Sequence, residues 1–372
     1  MKLLFLIRNL GSGGAERQLV LLANNLSDKH QVFIMTFYDN DNFYLKDVSE
    51  NIRYITLAKK GRWDTFSFFI KFYNEVSKLQ PELIYAFMDS AEFLSFGYKI
   101  FNRKIKLVWG IRSSNMDLRN YDKMFYLLRR VECLLSPFSD LIISNSFSGR
   151  DFALQDGFLK KEISVIHNGI NTTKFIPNSS VRKILLKDLN ISENKFIIGI
   201  IARHDPMKGL DIFIAAAIKH LKSYPDTVFV VIGKECERYT KLLKEMVIAK
   251  IALNFKWIGA KPNIENYYNL MDIYTSSSVY GEGFSNTIGE AMSCGVPCVV
   301  TDVGDSKLIV GTCGIVINKC SPDEMNNAWV KIRHLSLAER FKLGQNSRKR
   351  IIENYSIEKM MHLTESAFQA IL

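Results

Sequence analysis

Residues 1–17 read Met-Lys-Leu-Leu-Phe-Leu-Ile-Arg-Asn-Leu-Gly-Ser-Gly-Gly-Ala-Glu-Arg. A short apolar run breaks at Arg8-Asn9, passes a glycine-rich turn and enters a segment where Ala15, Leu19, Leu22 and Leu26 recur at helical spacing. This is the pattern of a buried strand feeding a crossover helix, the opening half of a βαβ unit. A signal peptide would need a longer apolar core and a small-residue cleavage site.

The same alternation continues outward. Further strand-like runs lie at 31–37, 52–57, 83–88, 106–111, 140–144 and 163–166, separated by amphipathic segments. A polar stretch from Asn171 to Ser180, containing Pro177, interrupts it, and strands restart at 196–202, 227–233, 255–258, 272–276 and 297–301. A chain of 372 residues exceeds what one core usually accommodates. The expectation is α/β: two Rossmann-like doubly wound parallel-sheet domains, 1–170 and 171–355, facing each other across a cleft. In such sheets ligands sit beyond the carboxyl ends of the strands.

Composition narrows the class. Hydrophobic residues make up 47% and the formal net charge is +11, which favours an anionic partner without defining the fold. The six cysteines form no CxxC pair, so neither a zinc site nor a disulfide framework is expected; Cys294 and Cys298 read as small core residues. No apolar stretch approaches the 18 residues of a spanning helix. The chain is expected to be cytoplasmic.

Four local features carry chemistry. Gly11-Ser-Gly-Gly-Ala-Glu-Arg17 lets a phosphate approach backbone N–H groups at a helix start, although a tight turn without a ligand reads equally well. Ile200-Ile-Ala-Arg203-His-Asp-Pro-Met-Lys208-Gly209 ends a buried strand in a loop bearing a guanidinium fork and an ammonium. Such a pair suits a diphosphate leaving group, on which charge accumulates.

In Tyr280-Gly-Glu282-Gly-Phe-Ser-Asn-Thr-Ile-Gly-Glu290-Ala-Met-Ser-Cys-Gly-Val-Pro297, Ser285 can cap a helix running to about Cys294. Amides around Phe284 to Thr287 then form an anion site between two carboxylates, which sugar hydroxyls would satisfy; an ordinary acidic helix start is the plainer alternative. The fourth feature is a basic, aromatic surface. Residues 93–116 hold Lys99, Arg103, Lys104, Lys106 and Arg112 without any Asp or Glu. Trp63, Phe66, Ile70, Tyr73 and Val76 make one helical stripe, with Phe68 and Phe72 a second. A helix at 121–136 combines Met124, Phe125, Leu128, Val131 and Leu135 with Arg129 and Arg130. Docking on an anionic membrane surface and ordinary core packing both account for these stripes.

Taken together, Gly-Gly-Ala-Glu-Arg after the first strand, Arg203 with Lys208-Gly209, and Glu282-x7-Glu290 followed by Ala-Met-Ser-Cys-Gly-Val-Pro resemble the retaining family-4 glycosyltransferases of the GT-B fold, glycosyl transferases group 1. The resemblance covers almost the whole chain, including His167-Asn168-Gly169-Ile170 and a last helix at 356–372 that should pack on the first domain. It implies that Arg203 and Lys208 bind the donor diphosphate, Glu282 the donor-sugar hydroxyls, and Glu290 the ribose. Amides of Gly283, Phe284, Ser285, Asn286 and Thr287 would hold phosphate and sugar. Ala260 would lie near the base, and Gly13 and Gly14 would close on the donor from the other domain. Arg17, Arg112 and Asn115 are acceptor-side candidates; Arg112 stands near where many members carry a His, and a phosphate on the acceptor is one ligand for it.

The implied reaction is transfer of a hexose or N-acetylhexosamine from a nucleotide diphosphate sugar, a UDP-sugar first, to a lipid-linked or surface glycan acceptor. The nucleotide sugar is a substrate, so no cofactor is expected, and no metal. Asp39-Asn-Asp41 resembles a DxD metal motif but reads better as a solvated turn. The implied place is cytoplasmic or peripheral on the inner face of the cell membrane. A nucleotide-sugar epimerase or phosphorylase on the same fold is the alternative enzyme. A nucleic-acid-binding protein is a third reading, against which no nucleic-acid module is present.

Overall fold

A computed structural model describes the chain except for residues 62–63, 113, 115–122, 161 and 237–250 and the side chains of 123–125. Asn115, Trp63 and the side chains of Met124 and Phe125 therefore lie outside the described residues. The chain divides into two compact units, Met1–Gly169 with Ile357–Leu372, and Ile170–Ser356.

The N-terminal unit is built on seven parallel strands: β1 (Lys2–Ile7), β2 (Gln31–Thr36), β3 (Arg53–Thr56), β4 (Leu83–Phe87), β5 (Lys106–Ile111), β6 (Leu141–Ser144) and β7 (Ile163–Val165). Their order is β3-β2-β1-β4-β5-β6-β7. Leu4 is opposite Phe33 on one side and Ile84 on the other. Leu3, Phe5 and Ile7 enter one core, whereas Leu4 and Leu6 enter the core on the opposite face. Burial on both faces explains why these strands read as unbroken apolar runs. Helix Ile357–Gln369 contributes Met360 and Phe368 to the first of these cores. At the two points where the chain passes between units, Ile170 pairs with Ser356, and a side chain on Gly169 would meet the Cα of Ile357 at 2.9 Å.

The second unit has six parallel strands: β8 (Phe196–Ile201), β9 (Thr227–Ile232), β10 (Phe255–Ile258), β11 (Ile273–Ser276), β12 (Cys298–Thr301) and β13 (Gly314–Ile317). Their order is β10-β9-β8-β11-β12-β13. Phe196, Ile198 and Ile200 face one core and Ile197 the other. The doubly wound α/β class is thus as the sequence implied, with β13 added. That strand is four residues long and mostly half-buried, so its apolar signal is weak.

The structure decides the faces that periodicity left open. Phe68, Phe72, Val76 and Leu79 are the buried stripe of helix Phe66–Leu79, while Phe66 and Ile70 point to solvent. In helix Lys123–Leu135, Leu127, Leu128, Val131 and Leu134 are exposed, whereas Glu132 and Cys133 are buried and Arg129 is half-buried. Arg129 donates to Glu132 at 2.7 Å and to Asp156 at 2.6 Å, so a compact ion cluster sits beside Cys133 and Leu135, which join the apolar core. Cys294 and Cys298 are buried free thiols, as their spacing suggested.

Each sheet changes winding direction beside its first strand, between β1 and β4 and between β8 and β11. In the second unit this sets the loops after β8 and β11 side by side at the carboxyl edge. Gly209 makes their approach possible. Its φ is +56°, and a Cβ there would lie 2.2 Å from the carbonyl oxygen of Ser277. Gly209→Ala is expected to lower unfolding stability by roughly 1–3 kcal/mol, measured by denaturant titration. A substitution without effect would mean that the two loops are not in this close contact.

Candidate active site

The site in the second unit grows from these adjoining loops. The hydroxyl of Ser277 donates to the carbonyl of Lys208 at 2.8 Å, and the amide of Val279 donates to the carbonyl of Met207 at 2.8 Å. The β8 loop is thereby fastened along the β11 loop. Behind them, Thr301 at the end of β12 donates to the carbonyl of Ser278 at 2.6 Å. The amide of Asp305 reaches the carbonyl of Gly283 at 3.1 Å.

On this frame Lys208 forms an ion pair with Glu282, whose Oε1 also accepts the Ser278 hydroxyl at 2.8 Å. Glu282 is only 8% exposed. Burial alone would raise its pKa, but the Lys208 charge and hydrogen bond, the Ser278 hydroxyl and nearby Arg203 together hold it below the ordinary carboxylate range. Arg203 is more open, with 56% of its side chain exposed. Its guanidinium clamps Asp205 through Nε at 3.0 Å and Nη2 at 2.6 Å, while Asp205 also caps the Met207 amide at 3.0 Å.

Glu290 is 2% exposed and accepts the Tyr268 hydroxyl at 2.7 Å. Both glutamates act on the buried Tyr274 hydroxyl. Burial is the main cause of its strongly raised pKa; a Thr287 hydrogen bond opposes this, and the Glu282 and Glu290 charges reinforce it. The two carboxylates are thus neighbours of one side chain, and Lys208, Glu282 and Arg203 share one electrostatic cluster.

The helix after Glu282 runs Asn286–Ser293 and begins at Ser285, but the Ser285 side chain makes no capping bond. Its hydroxyl lies instead 3.3 Å from that of Thr287. No acidic residue stands in the first turn, so the acidic-helix-start reading is set aside. Phe284 is buried against Tyr355 at 5.3 Å between ring centres, anchoring the loop. Ala260 is exposed, in the loop after β10 at the edge of the same sheet.

The remaining candidates belong to the N-terminal unit. Gly13 precedes helix Gly14–Leu26, and a Cβ on it would fall 2.1 Å from the Glu16 carboxylate. Arg17 lies in the opening of that helix, partly exposed. Arg112 follows β5 and folds back over the Phe87 ring at 4.0 Å. Asp39 and Asp41 are exposed, with Asn42 donating to the Asp39 carbonyl at 3.0 Å. Among the described residues no group of three or more His, Cys, Asp or Glu is gathered as metal ligands would be. Sequence reasoning missed Asp205, Ser277, Ser278 and Tyr268. Their roles arise from pairing between strands far apart in sequence, and only Asp205, two residues from Arg203, carried a local signal.

Residues 195–334 match the family model for glycosyl transferases group 1, and residues 12–174 match that for glycosyltransferase family 4. The lipopolysaccharide core biosynthesis mannosyltransferase LpsB of Rhizobium meliloti is 28% identical over 66% of this chain and 68% of its own length. An N-acetylgalactosamine-N,N'-diacetylbacillosaminyl-diphospho-undecaprenol 4-alpha-N-acetylgalactosaminyltransferase of Campylobacter jejuni is 25% identical over 81% of this chain and 80% of its own. The structure of Anabaena HepE with UDP and glucose superposes with a TM-score of 0.87 at 20% identity over 99% of both chains, a match in fold. Two parallel α/β units of GT-B type, and family models spanning most of the chain, place this protein among the family-4 glycosyltransferases.

Proposed function

We propose that this glycosyltransferase moves a hexose or N-acetylhexosamine from a UDP-sugar to a lipid-linked or surface glycan, retaining the anomeric configuration and using no metal ion. The observation that carries the reading is the meeting of Lys208, Glu282 and Ser278 on adjoining loops, with Arg203 close by. When the donor binds, the Lys208 ammonium turns from Glu282 to the diphosphate, and Glu282 is released to accept sugar hydroxyls. As the bond between the anomeric carbon and the phosphate oxygen breaks, negative charge gathers on the leaving group. Lys208, Arg203 and the positive end of helix Asn286–Ser293 offset it. The acceptor hydroxyl attacks from the face the phosphate is leaving and gives it its proton, so orientation replaces an enzymatic base. Glu290 takes the ribose. The sugar transferred by the Campylobacter relative, its diphospho-undecaprenol acceptor, and the UDP bound by Anabaena HepE support the choice of substrates.

The same reading places the protein on the inner face of the membrane. No helix among the described residues is long and apolar enough to cross it. The N-terminal unit instead exposes Phe66 (78%), Phe101 (67%) and Leu134 (61%), together with Leu127, Leu128 and Val131. Arg130 lies over Tyr126 on the same helix. Apolar side chains beside exposed cations suit an anionic lipid surface. Lys99 and Lys106 contribute less than composition suggested, because both pair with Asp140.

Among UDP-, GDP-, ADP- and TDP-sugars, a UDP-sugar should raise the melting temperature most; a larger shift with another base overturns that choice. Arg203→Ala and Lys208→Ala should each slow transfer by roughly 10²–10³-fold, with the product anomer matching the donor by NMR and activity surviving EDTA. Near-normal turnover in both variants would remove the diphosphate assignment. Lys208 also stabilises the fold. Lys208→Met, which strands a buried carboxylate, should cost about 3–5 kcal/mol near neutral pH, and adding Glu282→Gln should recover much of it. The depressed pKa of Glu282 means that its stabilisation is complete above the usual carboxylate range and lost as pH falls through the depressed value. Leu127→Glu with Leu134→Glu should abolish sedimentation with phosphatidylglycerol vesicles while leaving UDP binding intact. Undiminished sedimentation would exclude this surface.

A further inference from the structure

Arg112 is a cation with no ion-pair partner among the described residues. Its Nη2 donates to the Tyr85 hydroxyl, and its Nη1 lies 3.5 Å from Asn168 Oδ1, at the limit of a hydrogen bond. Its Nε is hidden from solvent with no acceptor. The guanidinium lies over Phe87 at 4.0 Å and Tyr85 at 5.5 Å. Gly110 leaves it room: a Cβ there would lie 3.3 Å from Nε. No described carboxylate forms an ion pair with it. The residue is nevertheless partly exposed.

The acidic group nearest to matching it is already occupied. Glu92 and Glu132 are buried side by side, and one oxygen of each lacks a partner. Burial first, then the Glu132 charge, pushes the Glu92 carboxyl well above its ordinary range. Glu132 is itself met by Arg129 at 2.7 Å. Neither carboxylate is hydrogen-bonded or ion-paired to Arg112. Leaving a buried charge unpaired is costly, and an arriving anion recovers that cost.

We propose that Arg112 anchors a second phosphate site, on the N-terminal unit, which takes a phosphoryl oxygen of the acceptor. Arg112 stands at the carboxyl edge of β5, where ligands of such sheets bind. A planar fork already oriented by two aromatic rings and the Tyr85 hydroxyl suits a phosphate oxygen pair better than a sugar hydroxyl. Asn168 and Asn145 flank it, the latter with its own Oδ1 hidden and unpaired. The choice of the acceptor as phosphate source rests on the glycosyl-transfer reading above; the positive site itself does not.

The test uses the full-length Lys208→Ala protein, which weakens the diphosphate site of the second unit, titrated calorimetrically with geranyl diphosphate and with inorganic pyrophosphate. Geranyl diphosphate should still bind, and adding Arg112→Gln should weaken it at least tenfold, with Arg112→Lys in between. The melting temperature without ligand should change little or rise, because an unpaired buried charge has been removed. A purely structural Arg112 would give the opposite pair of results, a large fall in melting temperature with unchanged affinity, and would overturn the proposal. So would failure of geranyl diphosphate to bind the Lys208→Ala protein. Tighter binding of pyrophosphate than of geranyl diphosphate would overturn the acceptor assignment. UDP titrated into the wild-type protein separates the two readings: failure there rejects the donor assignment and leaves the Arg112 comparison to be judged on its own.

Discussion

The register of β11 against β8, with Ile273 opposite Ile198 and Tyr274 opposite Gly199, is the constraint on which the site depends. It brings together two loops whose key residues are 74 positions apart in sequence. A slip by one residue would turn the apolar side chains of β8 to the wrong faces and separate Lys208 from Glu282. Two hydrogen bonds between the loops and the lack of a side chain at Gly209 then lock the approach. The charged pair follows from that backbone arrangement, since Lys208 and Glu282 merely occupy the places it provides.

The N-terminal unit handles charge differently. Its helix Lys123–Leu135 turns Arg129 and Glu132 inward alongside Cys133 and Leu135, and Leu127, Leu128 and Leu134 outward. The inward carboxylates are offset by Arg129, which bonds both Glu132 and Asp156. Burial and the Asp89 charge, eased by Arg129, bring Glu132 to a pKa of about 7. One helix thus presents an apolar face to its surroundings and a tuned electrostatic cluster to its interior.

How much of this was legible in the sequence depended on whether the signal was local. Strands buried on both faces announce themselves as unbroken apolar runs, which is why β1, β8 and β9 were plain and the short, half-buried β13 was not. Helical periodicity found two apolar stripes in Phe66–Leu79 but could not say which faced the core, because Phe66 and Ile70 are as apolar as Phe68 and Phe72. Lys208 and Glu282 were recognisable as residue types in motifs. Their direct pairing, the Ser278 hydrogen bond and the Tyr268 contact of Glu290 were not, since each joins segments that only the sheet brings together.

Because the N-terminal unit takes in residues 357–372, its core stays incomplete until all of Ile170–Ser356 has been made. Met360 and Phe368 join that core only after the second unit has been synthesised. During translation the N-terminal unit has all seven strands by Val165, yet that sheet waits with one face partly uncovered until helix Ile357–Gln369 follows. The order of synthesis and the order of completion are therefore reversed, and nascent chains halted at Ser356 would carry a finished second unit and an unfinished first one.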